Sequence, residues 1–384
     1  MTGAPQPPDG DVIETRLSRV DGLAGELVIG GYRLEDLAPQ ATFEEVAFLL
    51  WQGRLPRSDE LQALKARLAA SRALPEASLD VLRRAAAKRI PMMDALRLGM
   101  DSLALSGNQQ TADEDLAIRL VGATPALVAA YWRWLQGQQP VAAPKDLSHA
   151  AAYLAMLFDS APSAESVRGL ETYLNTVIDH GLNASTYTAR VVASTRSDMV
   201  AAVVAALAAL KGPLHGGAPG PALDMVFDIL EKARASGRSL EEETEAWVRG
   251  AVSTGDRIMG FGHRVYKVRD PRADVLGSAA EILHRGSERE TFYRQAQRIE
   301  QVTLRVLEEM KPGRNLKTNV EYYTALLLNG VGLPSELFTP TFAVARVAGW
   351  TAHFLEQTKH GRLIRPLEKY IGEDHRRWVP VAER

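Results

Sequence analysis

Apolar residues recur at three- and four-residue intervals along most of the chain, which predicts a mainly helical protein. Phe292, Ile299, Val306 and Met310 fall on one such face, with charged residues between them. Two capping boxes, Thr42-Phe-Glu-Glu45 and Ser239-Leu-Glu-Glu242, predict helix starts. In each, the hydroxyl accepts from a free backbone N–H and the glutamate reaches back to the cap. Thr339-Pro340 predicts a cap followed by proline at the first helical position, before a helix running towards His360. Strand-like alternation is rare; residues 26–32 (ELVIGGY) predict one short extended element. The run Met199–Leu210 is apolar on all sides and rich in alanine, so it is predicted to lie in the core or against another subunit. It is shorter than the roughly twenty residues that a bilayer span needs.

The pattern therefore predicts an all-α fold, broken at residues 212–220, 254–271 and 313–318, where glycine or proline interrupts it. No repeat of solenoid period is apparent. A chain of 384 residues has room for two or three domains, or one large domain with a lobe. We expect a large domain over 1–220, with 1–11 flexible, a small domain over 221–324, and a return to the large domain over 325–384. Lys and Arg number 45 against 47 Asp and Glu, so net charge gives no reason to expect nucleic-acid or membrane binding. The absence of cysteine excludes disulfides, thiolate nucleophiles and cysteine-ligated metals. It fits a cytoplasmic protein, and the polar, proline-rich start lacks a signal-peptide pattern.

Each break holds candidate chemistry. In Gly212-Pro-Leu-His215-Gly-Gly217, proline ends a helix and the glycines let a ligand approach the backbone closely. In Gly260-Phe-Gly-His263-Arg264-Val-Tyr-Lys267-Val-Arg-Asp-Pro-Arg272, a histidine that can exchange a proton near neutral pH precedes several cations suited to anions. Glu321, in Asn-Val-Glu-Tyr-Tyr, opens an apolar helical stretch; alone it reads as a carboxylate favoured by the helix dipole. His180, in Asp-His-Gly-Leu-Asn, taken alone reads as structural, and Arg365 and Arg384 as surface cations. No metal-ligand spacing, phosphate loop, dinucleotide fingerprint or nucleophile elbow is present.

Taken together, DHGLNAS, GPLHGG, GFGHRVYKVRDPR, TNVEYY and LIRP resemble the citrate synthase family in order and spacing, from about Val20 onward. The resemblance implies a helical homodimer with a large and a small domain per subunit, condensing acetyl-CoA with oxaloacetate in the cleft between them. Citryl-CoA is then hydrolysed, without metal or redox cofactor. It implies Glu321 as the base at the acetyl methyl group, His215 as donor to the thioester oxygen, and His263 as donor to the oxaloacetate carbonyl. His180, Arg272 and Arg365 would hold oxaloacetate, with Arg384 supplied by the partner subunit. Arg264, Lys267, Arg314 and Lys317 would meet the CoA phosphates.

The family usually has aspartate where this chain has Glu321, and many members have asparagine at Pro219. The retained carboxylate is one methylene longer. A 2-methylcitrate synthase using propionyl-CoA would employ the same residues. A non-catalytic helical scaffold is the alternative of another class, supported only by the change at Glu321. The length also predicts a dimer without the NADH control of larger members.

Overall fold

The computed structural model describes residues 13–106, 113–216, 219–263, 265–266 and 268–384. The N-terminal 1–11 expected to be flexible thus lies outside the described residues. Among the described residues the chain is helical nearly throughout, as expected, with one small sheet. Both capping boxes form: Glu45 Oε2 accepts from Thr42 N at 2.7 Å and Glu242 Oε2 from Ser239 N at 3.0 Å. The helices they open, Phe43–Gln52 and Leu240–Thr254, end at Gly53 and Gly255, whose φ of 71° and 81° favour glycine.

Helix Phe338–His360 runs through the core, with Trp350, Arg346 and His353 all buried. Its cap is Leu337, two residues before the expected Thr339. Thr339 instead lies in the first turn and donates to Gly216 O at 2.9 Å, tying the helix start to the His215 loop. Pro340 is tolerated there because first-turn N–H groups have no partner within the helix. Helix Met199–Leu210 packs on Phe338–His360 and on Ala184–Ser194. Only one of its faces is fully buried within the chain; Ala208 on the other is exposed. Helix Glu290–Met310 buries Ile299 and Val306, with Phe292 and Met310 packed at the margin, as the spacing predicts.

The extended element expected at 26–32 is two strands, β2 (Glu26–Ile29) and β3 (Tyr32–Arg33), turned by Gly30 and Gly31 at positive φ. They join β1 (Ser18–Asp21) in an antiparallel sheet of order β1-β2-β3. The sequence signal missed β1 because SRVD is too short and polar to alternate clearly. Among the described residues no helix is long and apolar enough to cross a membrane.

Glu171, on helix Ala164–Val177, is 6% exposed. Burial, and then the charge of nearby Glu44, raise its carboxyl from 4.5 to about 7. A carboxyl raised on folding costs stability as pH rises from its unfolded value through its folded one. Glutamine cannot ionise. We therefore expect Glu171→Gln to be roughly 2–3 kcal/mol more stable than wild type at pH 8, with the gain vanishing below about pH 4.5. Denaturant midpoints at the two pH values check this; an unchanged or lowered midpoint at pH 8 contradicts it.

Candidate active site

Two loops that are distant in sequence are stitched together. Gly262 N donates to Lys317 O at 2.7 Å, and Asn319 N to Gly260 O at 2.9 Å, around a bridge between Phe261 and Thr318. Gly260 has φ of 87°, and a Cβ there would meet the Tyr322 side chain at 2.9 Å, so the close approach requires glycine. Asn319 caps helix Val320–Val331 by accepting from Glu321 N at 2.9 Å, while its Nδ2 donates to Gly262 O at 2.8 Å. One side chain thereby links the Glu321 helix to the His263 loop.

A second tie is Asp270, which is 1% exposed. Its Oδ1 accepts from Arg272 N and Arg272 Nε, each at 3.0 Å, capping helix Pro271–His284. Its Oδ2 accepts from Arg272 Nη2 at 2.8 Å and from Val320 N at 3.3 Å. The same carboxylate thus orients the Arg272 guanidinium and the first turn that holds Glu321. Glu300 braces the loops from behind, accepting from Thr318 Oγ1 at 2.5 Å and from Arg269 Nη1 at 2.9 Å.

His180, His263 and Tyr266 pack together. Their rings lie 6.1 Å apart between the two histidines and 4.9 Å between His263 and Tyr266. His180 Nε2 shares a hydrogen bond of 3.1 Å with Tyr266 Oη. Burial, and then the Arg272 charge, hold the His180 imidazole well below its usual pKa, so it is neutral. His263 Nδ1 accepts from Val265 N at 3.1 Å and Tyr266 N at 3.0 Å. An acceptor at Nδ1 assigns the ring proton to Nε2, which lies 3.3 Å from Arg272 Nη2. Two donors converge there, an arrangement suited to an oxygen-rich ligand.

His215 follows Met199–Leu210 in a tight turn, with its N–H on Gly212 O at 2.9 Å and Gly216 N on Leu210 O at 3.0 Å. A Cβ on Gly216 would meet Leu210 O at 2.5 Å, which explains that glycine. His215 Nε2 lies 2.8 Å from Ser185 Oγ. Ser185 Oγ in turn accepts from Trp350 Nε1 at 3.2 Å and lies 2.8 Å from Asn183 Oδ1. Burial, and then the charge of Arg346, lower His215 to about 4, so it is an uncharged imidazole near neutral pH. Glu321 is raised from its usual value by burial, against the pull of Arg272 and Arg257, and so is a stronger base than a free carboxylate.

Arg346 was hidden from sequence reading. It sits among apolar residues of a core helix and is 1% exposed, with Nε donating to Val177 O at 2.7 Å. Its Nη1 is buried without a protein partner, which is uncommon for a charged donor. Burial pulls it down to about 10, still cationic near pH 7. Its charge reaches His180, His215 and Arg272, which places it near all three. Arg365 and Arg384 are elsewhere: both are exposed on the C-terminal stretch beyond helix Phe338–His360, and Arg384 Nε donates to Val379 O at 3.1 Å. Arg314 and Lys317 are exposed on the loop before Asn319. Arg264 and Lys267 lie outside the described residues. Among the described residues no cluster could hold a metal ion.

The neutral imidazoles of His180 and His215, the raised carboxyl of Glu321 and the buried guanidinium groups of Arg272 and Arg346 are linked through the charges of the two arginines, an arrangement suited to proton transfer beside an anionic ligand. The family model for the citrate synthase C-terminal domain matches residues 9–367, and the chain belongs to the citrate synthase family. It is 40% identical over 97% of both chains to a citrate synthase of Haloferax volcanii. It is 35% identical to a 2-methylcitrate synthase of Shewanella oneidensis, over 97% of this chain and 95% of that one. The solved ternary complex of Thermoplasma acidophilum citrate synthase with carboxymethyl coenzyme A and oxaloacetate superposes at a TM-score of 0.85, with 31% identity and 98% of both chains covered.

Removing Arg346 leaves Asp179 with its other partners, His353 Nε2 at 3.1 Å and Ser18 Oγ at 2.5 Å. Arg346→Met is therefore expected to leave Tm within a few degrees of wild type while weakening oxaloacetate binding at least about a hundredfold. Calorimetric titration and thermal melts check it; unchanged affinity would remove Arg346 from the site.

Proposed function

We propose that this chain condenses acetyl-CoA with oxaloacetate and hydrolyses the resulting citryl-CoA to citrate and CoA. The observation that supports this most strongly is the raised, half-buried Glu321 held in one frame with Arg272 and His263. A thioester methyl group is a very weak acid, so the base needs help from a donor at the developing oxyanion. In our reading Glu321 takes the methyl proton while the Ser185 hydroxyl donates to His215 Nε2, so that the neutral imidazole donates its Nδ1–H to the thioester oxygen. The enol carbon attacks the oxaloacetate carbonyl, whose oxygen receives a hydrogen bond from His263 Nε2. His180, Arg272 and Arg346 hold the dianion. Arg346 takes the place expected for Arg365, because it is buried within reach of His180, His215 and Arg272 while Arg365 is exposed. Each charge that develops meets a protein group, so this reading calls for no metal or redox cofactor.

We also infer a small domain over 221–324 and a cleft that closes at its glycines. The C-terminal stretch exposes Leu367, Ile371 and Trp378 at 80%, 89% and 78%, more apolar surface than a free segment normally shows. This supports a homodimer in which the stretch packs on a second copy, with Arg384 and Arg365 as candidates to reach that copy's cleft. Arg314 and Lys317 are the described candidates for CoA phosphates.

Likeness to a 2-methylcitrate synthase keeps propionyl-CoA as a second reading. One methylene changes binding by only about 1–3 kcal/mol, so a small difference in the pocket decides it. Release of CoA should be measured with both thioesters on wild type, Glu321→Gln and Glu321→Asp. We expect kcat/KM to favour acetyl-CoA, the glutamine variant to lose at least about 10³-fold, and the aspartate variant to stay active. Preference for propionyl-CoA would select the second reading, and full activity in Glu321→Gln would remove the base.

A further inference from the structure

We propose that the turn between β1 and β2, and Gly22 above all, is the seat on which the large domain positions His263. This rests on the catalytic role proposed for that histidine. The strands pair Asp21 with Glu26, leaving a turn over residues 22–25. Asp21 Oδ1 fixes the turn by accepting from Leu23 N at 3.0 Å and Ala24 N at 2.9 Å. The far end of β1 is anchored on the His180 loop, where Ser18 Oγ donates to Asp179 Oδ2 at 2.5 Å and accepts from Gly181 N at 2.8 Å. The hairpin therefore stands on one histidine loop and touches the other.

The contact with the second loop is unusually close. A Cβ on Gly22 would lie 2.3 Å from Val265 O and 2.8 Å from Val265 C. Gly22 is not among the glycines at positive φ, so its own conformation does not demand glycine; only the approach of Val265 does. A Cβ on Gly25 would likewise meet Val268 Cγ2, at 2.7 Å.

The geometry of one peptide makes this contact matter. The Val265 carbonyl and the Tyr266 N–H belong to the same planar unit and point in opposite directions. The carbonyl faces Gly22; the N–H donates to His263 Nδ1 at 3.0 Å. Pressure on the carbonyl is thus transmitted straight to the bond that sets the His263 tautomer. Tyr266 also carries the hydroxyl that meets His180 Nε2, so both histidines feel the same displacement. Gly22 is a positioning residue: it touches no reacting atom, and it fixes where the donor stands.

The test compares glycines in the two turns of one sheet, Gly22 between β1 and β2 and Gly31 between β2 and β3. Gly22→Ala adds a methyl group against Val265 without backbone strain. Gly31→Ala strains the backbone, at φ of 91°, but meets nothing within 4 Å. Relieving the Gly22 clash moves the loop by roughly 1 Å, a displacement able to cost on the order of a hundredfold in rate. We expect Gly22→Ala to lose 10- to 100-fold in kcat with little change in Tm. We expect Gly31→Ala to lose about 2 °C in Tm with kcat unchanged. The ¹⁵N spectrum of His263, assigned against His263→Asn, should show a single tautomer in wild type and Gly31→Ala, and a mixture in Gly22→Ala. That spectrum needs no turnover, so it separates failure of the seat from failure of the proposed reaction. Wild-type kcat and a single tautomer in Gly22→Ala would overturn the proposal. Should Gly22→Ala not fold, the same result in Asp21→Ala, which loosens the seat at a half-buried position, would overturn it. Equal losses of kcat in Gly31→Ala and Gly22→Ala would overturn it too.

Discussion

The Asp270 carboxylate is the interaction on which the rest of the site depends. Four N–H donors converge on it, three from Arg272 and one from the first turn of helix Val320–Val331. A buried carboxylate is stable only when its charge and lone pairs are met, and here one cation and two helix starts meet them. The consequence is geometric. The guanidinium that attracts an anion and the turn that aims the base are oriented by the same group, so neither can shift without the other. Asn319 extends the frame to the His263 loop, and the β1–β2 hairpin supports that loop from the opposite side.

Burial then sets the chemistry that this frame can perform. It disfavours charge on His180 and His215, which leaves imidazoles that donate without competing for protons near neutral pH. The same desolvation raises Glu321 and makes it a better base. Arg272 opposes this by attracting the carboxylate, so a ligand dianion that neutralises Arg272 would strengthen the base further. An anion held at Arg272 and the strength of the Glu321 base are linked through that one charge.

Much of this was legible in the sequence, and the reasons differ by residue. His215 and His263 are flanked by glycines that the backbone needs for close approaches, so their loops announced themselves, whereas His180 alone read as structural. The helical fold followed from apolar spacing and capping boxes. Glu321 looked like any first-turn carboxylate, since nothing local distinguishes a base from a helix-dipole partner. Arg346 was invisible because it interrupts an apolar helix as a single cation, and only packing reveals that its head group is buried beside the histidines. Arg365 stood out instead, through its motif, yet lies exposed in the single chain. Ser185, which seats His215, carries no signal of its own, because serine at a helix start normally serves the backbone.

The most direct test of the shared frame is Asp270→Asn, assayed for oxaloacetate affinity and, separately, for deuterium exchange into the acetyl-CoA methyl group. The amide keeps the shape but removes the charge and replaces an acceptor oxygen with a donor. If Asp270 holds both halves, affinity and exchange fall together, each by at least about tenfold, as expected when a buried charge pair is broken. A variant that lost one and kept the other at wild-type level would show that Arg272 and Glu321 are positioned independently, and would contradict the account.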